Sequence, residues 1–387
     1  MKRPNKFVYV ILNYFARLYT LIVKKHRFHN PDKIKIETPS IVISNHTSFF
    51  DFLYVMWAFK HTPVNFVVAR KYYETKPLSK ILKLGHTIPK SLFQADTMAM
   101  KNMLEVIKKG GVVGLFPEGQ ISITGVTLPF ASGIGKFVKK VGVMVYAVKT
   151  TGAYLKDPPW TKITRKGRID SHLFQALTPD EAKGLSPEEI EEKLFHTIFT
   201  NPFIDGKAYI FKGKKLAKGL ENILYLCPKC HSEGEMISNK NELMCSECHF
   251  KYEVQVNGWL HHDEEKTNIQ EAYLYERTFE KNKILNSPSF MLEVDVKVES
   301  INHYQYQIIS QGKLRISQNS IEYLSDDKFS FSIPTNVVRY VPFDAGINFQ
   351  IYMNNMLYQF IPNKPYLATQ AVIMIEELYK LSKQPLK

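Results

Sequence analysis

The sequence predicts an α/β chain, with a mostly parallel sheet flanked by helices, then a four-cysteine zinc ribbon, then a small β-rich domain closed by a C-terminal helix. Three observations carry this. Between Lys33 and Phe174 short β-branched runs alternate with helical stretches, the pattern of a buried parallel sheet. All four cysteines fall in two CxxC pairs, Cys227/Cys230 and Cys245/Cys248. From Ser289 to Pro362 short alternating strands follow one another, and one helix, Tyr366 to Leu381, ends the series.

With 387 residues, 44% hydrophobic and 23% charged, the chain is globular and long enough for two or three domains. A formal net charge of +14 and a pI near 9.3 point to anionic partners, and phospholipid, nucleic acid or an acidic soluble ligand each fits. The 25 Phe and 21 Tyr lean toward a surface that meets lipid.

Phe7 to Val23 is apolar but carries Asn13 and Arg17, and it is short for a span of ~20 apolar residues. No small-residue cleavage site follows, so neither a signal peptide nor a spanning helix is expected. Lys2, Arg3 and Lys6 before it, Lys24, Lys25 and Arg27 after it, and Tyr9, Tyr14 and Tyr19 within it suit an interfacial helix in one leaflet of an anionic membrane. The expected location is the cytoplasmic face of the cell membrane, peripheral or monotopic.

Five strands are expected next, at Ile41–Ser44, Asn65–Ala69, Thr87–Pro89, Val112–Phe116 and Val143–Val148, with helices at Ser48–Phe59, Pro77–Leu84 and Thr97–Lys109. The joint after the first of these strands carries chemistry. His46 and Asp51 would lie ~140° apart on a helix and could not face one another. His46 therefore belongs in the turn, with Asp51 in the first helical turn, where a carboxylate can bond one ring nitrogen and leave the other as a base. Ser48 is the expected N-cap.

Strand ends in such a sheet collect ligands. Pro117-Glu118-Gly119 follows one strand, and Arg70, Lys71 and Lys90 follow two others and suit an anion pocket. His86 has no partner in the sequence and reads as structural. Ser186-Pro187-Glu188-Glu189 opens a helix that closes this domain, and a basic stretch, Lys207 to Lys218, leads out of it.

Each CxxC turn puts two thiolates on one knuckle, and with 14 residues between the pairs the four make a tetrahedral all-sulfur set for structural zinc. A closed set of four cysteines leaves no position for catalysis, so no catalytic metal is expected. An acidic helical link, Asp263 to Asn286, precedes the strands of the last domain. These are expected at Lys313–Ser317, Ser320–Tyr323, Phe329–Ile333, Val337–Tyr340, Asn348–Tyr352 and Leu357–Phe360. Their order is similar to that of pleckstrin-homology-like barrels, in layout alone.

Asn45-His46-Thr47-Ser48-Phe49-Phe50-Asp51 followed by Phe116-Pro117-Glu118-Gly119-Gln120-Ile121-Ser122 resembles the paired NHxSxxD and FPEGxxS blocks of the lysophosphatidic acid acyltransferase family. The resemblance covers Lys33 to Phe174. It implies a glycerolipid acyltransferase fold for residues 31–222, after an interfacial helix at 1–30 and before a ribbon at 223–260 and a β-rich domain at 261–387. It also implies transfer of an acyl group from acyl-CoA or acyl-carrier protein to 1-acylglycerol 3-phosphate at a membrane. His46 becomes the general base, Asp51 its partner, Glu118 and Gly119 acceptor-binding residues, and Lys90 the phosphate ligand. Ile121 stands where the family has arginine, Gln120 where it has threonine, Lys90 where it has arginine and Ala131 where it has a basic residue, and Val145 to Val148 lacks the family's proline. These departures spare His46 and Asp51 and bear on the acceptor, so that a larger lysophospholipid or another acceptor alcohol also fits.

The residues agree with that implication. A base that takes the acceptor proton during attack on a thioester contributes ~10²–10⁴ in rate. No cysteine or activated serine lies near His46, which favours direct transfer over an acyl-enzyme. A second reading makes the chain a degenerate acyltransferase-like adaptor that binds membrane or nucleic acid through its ribbon and β-rich region. The ribbon lacks a basic and aromatic run, so nucleic acid is not expected as a partner.

Overall fold

A computed structural model describes residues 1–74, 76–92, 96–205, 209–287, 289–302, 305–325, 329–353 and 356–383. The chain forms two compact units, 1–213 and 214–387.

In the first unit seven strands form one sheet: β1 (His26–His29), β2 (Ser40–Ser44), β3 (Val64–Ala69), β4 (Ile88–Lys90), β5 (Val112–Leu115), β6 (Met144–Thr151) and β7 (Ile169–Leu177), in the order β1-β7-β6-β2-β5-β3-β4. All neighbours are parallel except β6 with β7. The five expected strands are present, and the two edge-side strands β1 and β7 are additions to them. Alternation puts Ile41 and Ile43 on one face and Val42 on the other.

Eight α-helices are described here: α1 (Lys6–Ile22), α2 (Asp51–Ala58), α3 (Leu78–Leu84), α4 (Thr97–Lys108), α5 (Ile134–Val141), α6 (Ala153–Lys156), α7 (Pro179–Gly184) and α8 (Pro187–Ile198). Val55, Met56 and Phe59 of α2 and its C-terminal cap pack with Val42, while Met103, Val106 and Ile107 of α4, Phe137 and Val138 of α5, and Ile190 and Leu194 of α8 pack with Ile41 and Ile43. Helices on both faces are what allow β2 to be buried at every residue. Gly114 of β5, in register with Val42 and Phe66, sits where any side chain would collide: a Cβ there would lie 2.7 Å from both Phe66 and Val64.

Helix α1 buries a polar side. Asn13 donates to the Met56 carbonyl at 2.8 Å, Thr20 accepts from the Trp57 indole at 2.7 Å, and the Arg17 guanidinium lies over the Trp57 ring. Its apolar side chains Phe7, Ile11, Leu12, Tyr14, Phe15, Leu18, Leu21 and Ile22 are exposed. No helix among the described residues is long and apolar enough to cross a membrane.

The second unit begins with a five-stranded antiparallel sheet, β8 (Met236–Asn239), β9 (Glu242–Cys245), β10 (Lys251–Val254), β11 (Trp259–His262) and β12 (Glu265–Asn268). Helix α9 (Ile269–Asn286) follows, started by a capping box between Asn268 and Glu271. A seven-stranded antiparallel sheet comes next, built from β13 (Met291–Asn302), β14 (Gln305–Ser317), β15 (Ser320–Ser325), β16 (Phe331–Pro334), β17 (Phe343–Asp344), β18 (Asn348–Met353) and β19 (Met356–Pro362), in the order β16-β15-β14-β13-β19-β18-β17. Helix α10 (Tyr366–Ser382) closes it, with Ala371, Val372 and Ile375 buried against Val296, Leu314 and Phe360. The strand expected at Val337–Tyr340 is absent. A 3-10 turn, Thr335–Val337, takes its place, with the Thr335 hydroxyl donating to the Gln318 carbonyl at 2.7 Å.

Candidate active site and cysteine cluster

The site grows from the C-terminal ends of the parallel strands β2, β5, β3 and β4, which share one edge of the sheet. At the end of β2 the Asn45 amide locks onto β6, donating to the Thr150 carbonyl at 2.9 Å and accepting its N–H at 2.8 Å. The chain then turns. His46 Nδ1 lies 3.1 Å from Asp51 Oδ2, and the same oxygen accepts the N–H groups of Thr47 at 2.7 Å and Ser48 at 2.8 Å. The expected juxtaposition is therefore present, with His46 in the turn and Asp51 as the first residue of α2.

Ser48 does not cap the helix as expected. Helix α2 starts at Asp51, has no side-chain cap, and the aspartate itself folds back over the turn; the Ser48 hydroxyl accepts from Phe50 N at 3.3 Å instead. Two amides spent on Asp51 are also unavailable as oxyanion donors. Asp51 is fully buried, and burial raises its carboxyl above the usual range while the His46 ring and the two N–H groups oppose that. The imidazole is one-fifth exposed and stacks on Phe116 at 4.3 Å between ring centres, so one face is apolar and one edge is open.

Glu118 and Gly119 follow β5. Gly119 adopts φ +76°, a conformation that glycine takes without strain, and closes a turn onto the Phe116 carbonyl at 3.1 Å. Glu118 turns inward. One carboxylate oxygen accepts the His46 N–H at 2.6 Å and the other the Leu128 N–H at 2.7 Å, while Ser122 N–H donates to the His46 carbonyl at 2.8 Å.

The basic residues lie at the same edge. Arg70, directly after β3, donates to Ser91 Oγ and Asp96 Oδ2, each at 3.2 Å, and Asp96 in turn caps α4. Lys90 ends β4, and its half-buried ammonium, which burial holds below the usual lysine range, donates to the Ser91 carbonyl at 3.2 Å. The Lys71 ammonium stands 5.2 Å from the Tyr72 ring centre. Asp96, which orients Arg70, was missed by sequence reasoning, although an aspartate directly before a helical run is a readable cap signal. His86 uses its carbonyl to accept from Asn65 at 2.7 Å, a structural contact.

In the second unit the four cysteines converge. Cys227, Cys230, Cys245 and Cys248 offer sulfur atoms all within 4.8 Å of one another, and all four are free thiols. Tetrahedral Zn–S bonds of about 2.3 Å require sulfurs about 3.8 Å apart, a spacing this cluster accommodates. The two knuckles repeat one geometry, with His231 and His249 at φ +60° and +58° donating N–H to the carbonyls of Cys227 and Cys245.

Residues 25–151 match the family model described as Acyltransferase. Curated 1-acyl-sn-glycerol-3-phosphate acyltransferases from Limnanthes alba and Limnanthes douglasii are 30% and 29% identical over 167 residues, 41% of this chain and 57% of each relative. The chain thus spans little more than half the length of these relatives. Among solved structures, the 1-acyl-sn-glycerophosphate acyltransferase PlsC from Thermotoga maritima aligns over 52% of this chain and 81% of its own, at 22% identity and a TM-score of 0.43.

Proposed function

We propose that this chain, whose residues 25–151 match the acyltransferase family, is a membrane-associated O-acyltransferase of glycerolipid synthesis. It moves an acyl group from acyl-CoA or acyl-carrier protein to the free hydroxyl of 1-acylglycerol 3-phosphate or a related lysophospholipid. The observation that carries this is the contact of His46 Nδ1 with a buried Asp51 carboxylate at the ligand-collecting edge of a parallel sheet.

In the reaction the acceptor hydroxyl loses its proton to His46 Nε2 as its oxygen attacks the thioester carbon. The C–S bond then breaks, and the imidazolium returns the proton to the departing thiolate. Asp51 holds Nδ1 protonated, aims the ring and stabilises the imidazolium. Arg70, Lys71 and Lys90 take the acceptor phosphate, Arg70 preset by Asp96. A pocket of two ammonium groups and one pinned guanidinium grips a phosphate less rigidly than paired guanidinium forks, which suits a headgroup larger than a bare phosphate monoester.

Support for the membrane comes from α1, whose polar side is packed inward and whose aromatic and aliphatic side chains face out between basic flanks. Support for zinc comes from the sulfur spacing. Cys227, Cys230, Cys245 and Cys248 would hold the ion, which supplies cross-linking of the two knuckles, and the acyl-transfer step does not involve it.

The test is an acceptor panel. Labelled acyl-CoA or acyl-carrier protein, with lysophospholipids differing in headgroup presented in anionic vesicles, should yield a diacyl product that His46→Ala abolishes. No product from any acceptor, with either donor, sinks the reading.

A further inference from the structure

The N–H groups of three successive residues, His46, Thr47 and Ser48, all point at carboxylates: the first at Glu118, the next two at Asp51. Such a run is an anion nest, here filled by the protein's own side chains from two directions. Asp51 also reaches the imidazole. Glu118 does not, and its place in the site has another logic.

Its side chain is 2% exposed, and each oxygen already accepts a short main-chain N–H bond, from His46 and from Leu128. The Glu118 loop grips the His46 peptide from the other side as well, through the Ser122 N–H on the His46 carbonyl, and closes on itself through Ala131 N–H to the Pro117 carbonyl at 2.8 Å. A residue that contacts an acceptor needs an accessible oxygen, and Glu118 presents none.

We infer that Glu118 is a positioning residue, which fixes the peptide of His46 and ties it to the loop 116–131, and not the acceptor ligand that the family resemblance implies. The inference rests on the acyl-transfer reading of His46. Asp51 sets the rotation of the imidazole about its own axis, and Glu118 sets where the ring's backbone anchor stands. Loss of the anchor displaces the base while leaving the acceptor's phosphate contacts intact. A displacement of the order of 1 Å costs about 10²-fold in the chemical step.

Kinetics of the full chain test this, with acyl-CoA and, in vesicles, lysophosphatidic acid and a set of lysophospholipids with larger headgroups. Glu118→Ala removes both acceptors, Glu118→Asp is one methylene too short to bridge them, and Glu118→Gln keeps one acceptor and faces the other N–H with a donor. The expected result is a fall in kcat of about 10²-fold for Glu118→Ala, less for Glu118→Gln, with the acceptor KM within about twofold of wild type. A raised acceptor KM at unchanged kcat overturns the inference. Should Glu118→Ala not fold, Glu118→Gln is read by the same split. Independently of activity, histidine-labelled NMR should show the His46 ring signals moved in substrate-free Glu118→Gln. Unmoved signals overturn the inference too. A wild type that acylates nothing refutes the acyl-transfer reading alone, because the NMR arm still reports on the anchor.

Discussion

The turn at His46 and the two cysteine knuckles use the same local device and complete it differently. In each, one acceptor atom sits over successive backbone N–H groups: Asp51 Oδ2 over Thr47 and Ser48, the Cys227 sulfur over Lys229 and Cys230, the Cys245 sulfur over Glu247 and Cys248. At the knuckles the remaining valence faces three other sulfurs, a closed set suited to a metal. At the turn it faces an imidazole with an open edge. The backbone prepares the same acceptor seat in both, and the partner supplied differs, three sulfurs at one and an imidazole at the other.

Metal removal should separate the two most strongly. A structural zinc contributes about 10–16 kcal/mol to the segment it folds, so chelation should abolish the β8–β12 fold, seen as lost amide protection over 227–268. Protection that survives chelation would mean that packing alone holds the ribbon. His46→Ala comes next, with a loss of ~10²–10⁴-fold in acyl transfer and an unchanged melting profile. Asp51→Asn should also lower kcat, and it carries a pH signature. Because burial raises the Asp51 carboxyl in the folded chain, its stabilising contribution is complete below the unfolded value and is lost as pH rises through the folded one. Urea unfolding at several pH values should therefore shift in favour of Asp51→Asn as pH increases, and a difference independent of pH would contradict the sign. The smallest effect is expected from Phe15→Ser on the exposed side of α1. It should leave both centres intact and weaken binding to anionic vesicles by about tenfold, the equivalent of one buried aromatic side chain.

The parallel core was legible because β-branched runs such as Ile41–Ile43 and Val112–Val113 are buried on both faces and read as continuous apolar segments. Strands β1 and β7 were not. His26-Arg27-Phe28-His29 and Asp170-Ser171-His172 carry the polar residues of a sheet flank, whose pairing, His29 and Tyr209 on Asp170 and His26 on Ser171, is made by residues distant in the chain. Asn13 read as a blemish in an apolar helix. It is in fact the contact that turns the helix inside out, a reversal that needs the Met56 carbonyl to be seen. The His46–Asp51 pair was legible because helical geometry puts His46 in the turn and the paired motifs single out both residues, whereas the inward turn of Glu118 depends on where Leu128 N–H lies. The ribbon's sulfur set followed from spacing. Its five strands, short and polar, did not.

Gly114 stands behind His46 across two aromatic rings. Its missing side chain lets the Phe66 ring settle against the backbone of β5; Phe66 stacks on Phe116, and Phe116 on His46. A methyl group at Gly114 would press on the first of these three rings, so Gly114→Ala should move the His46 ring signals in an NMR spectrum. The setting of the His46 ring is thus partly written in the interior of the sheet, at a buried glycine.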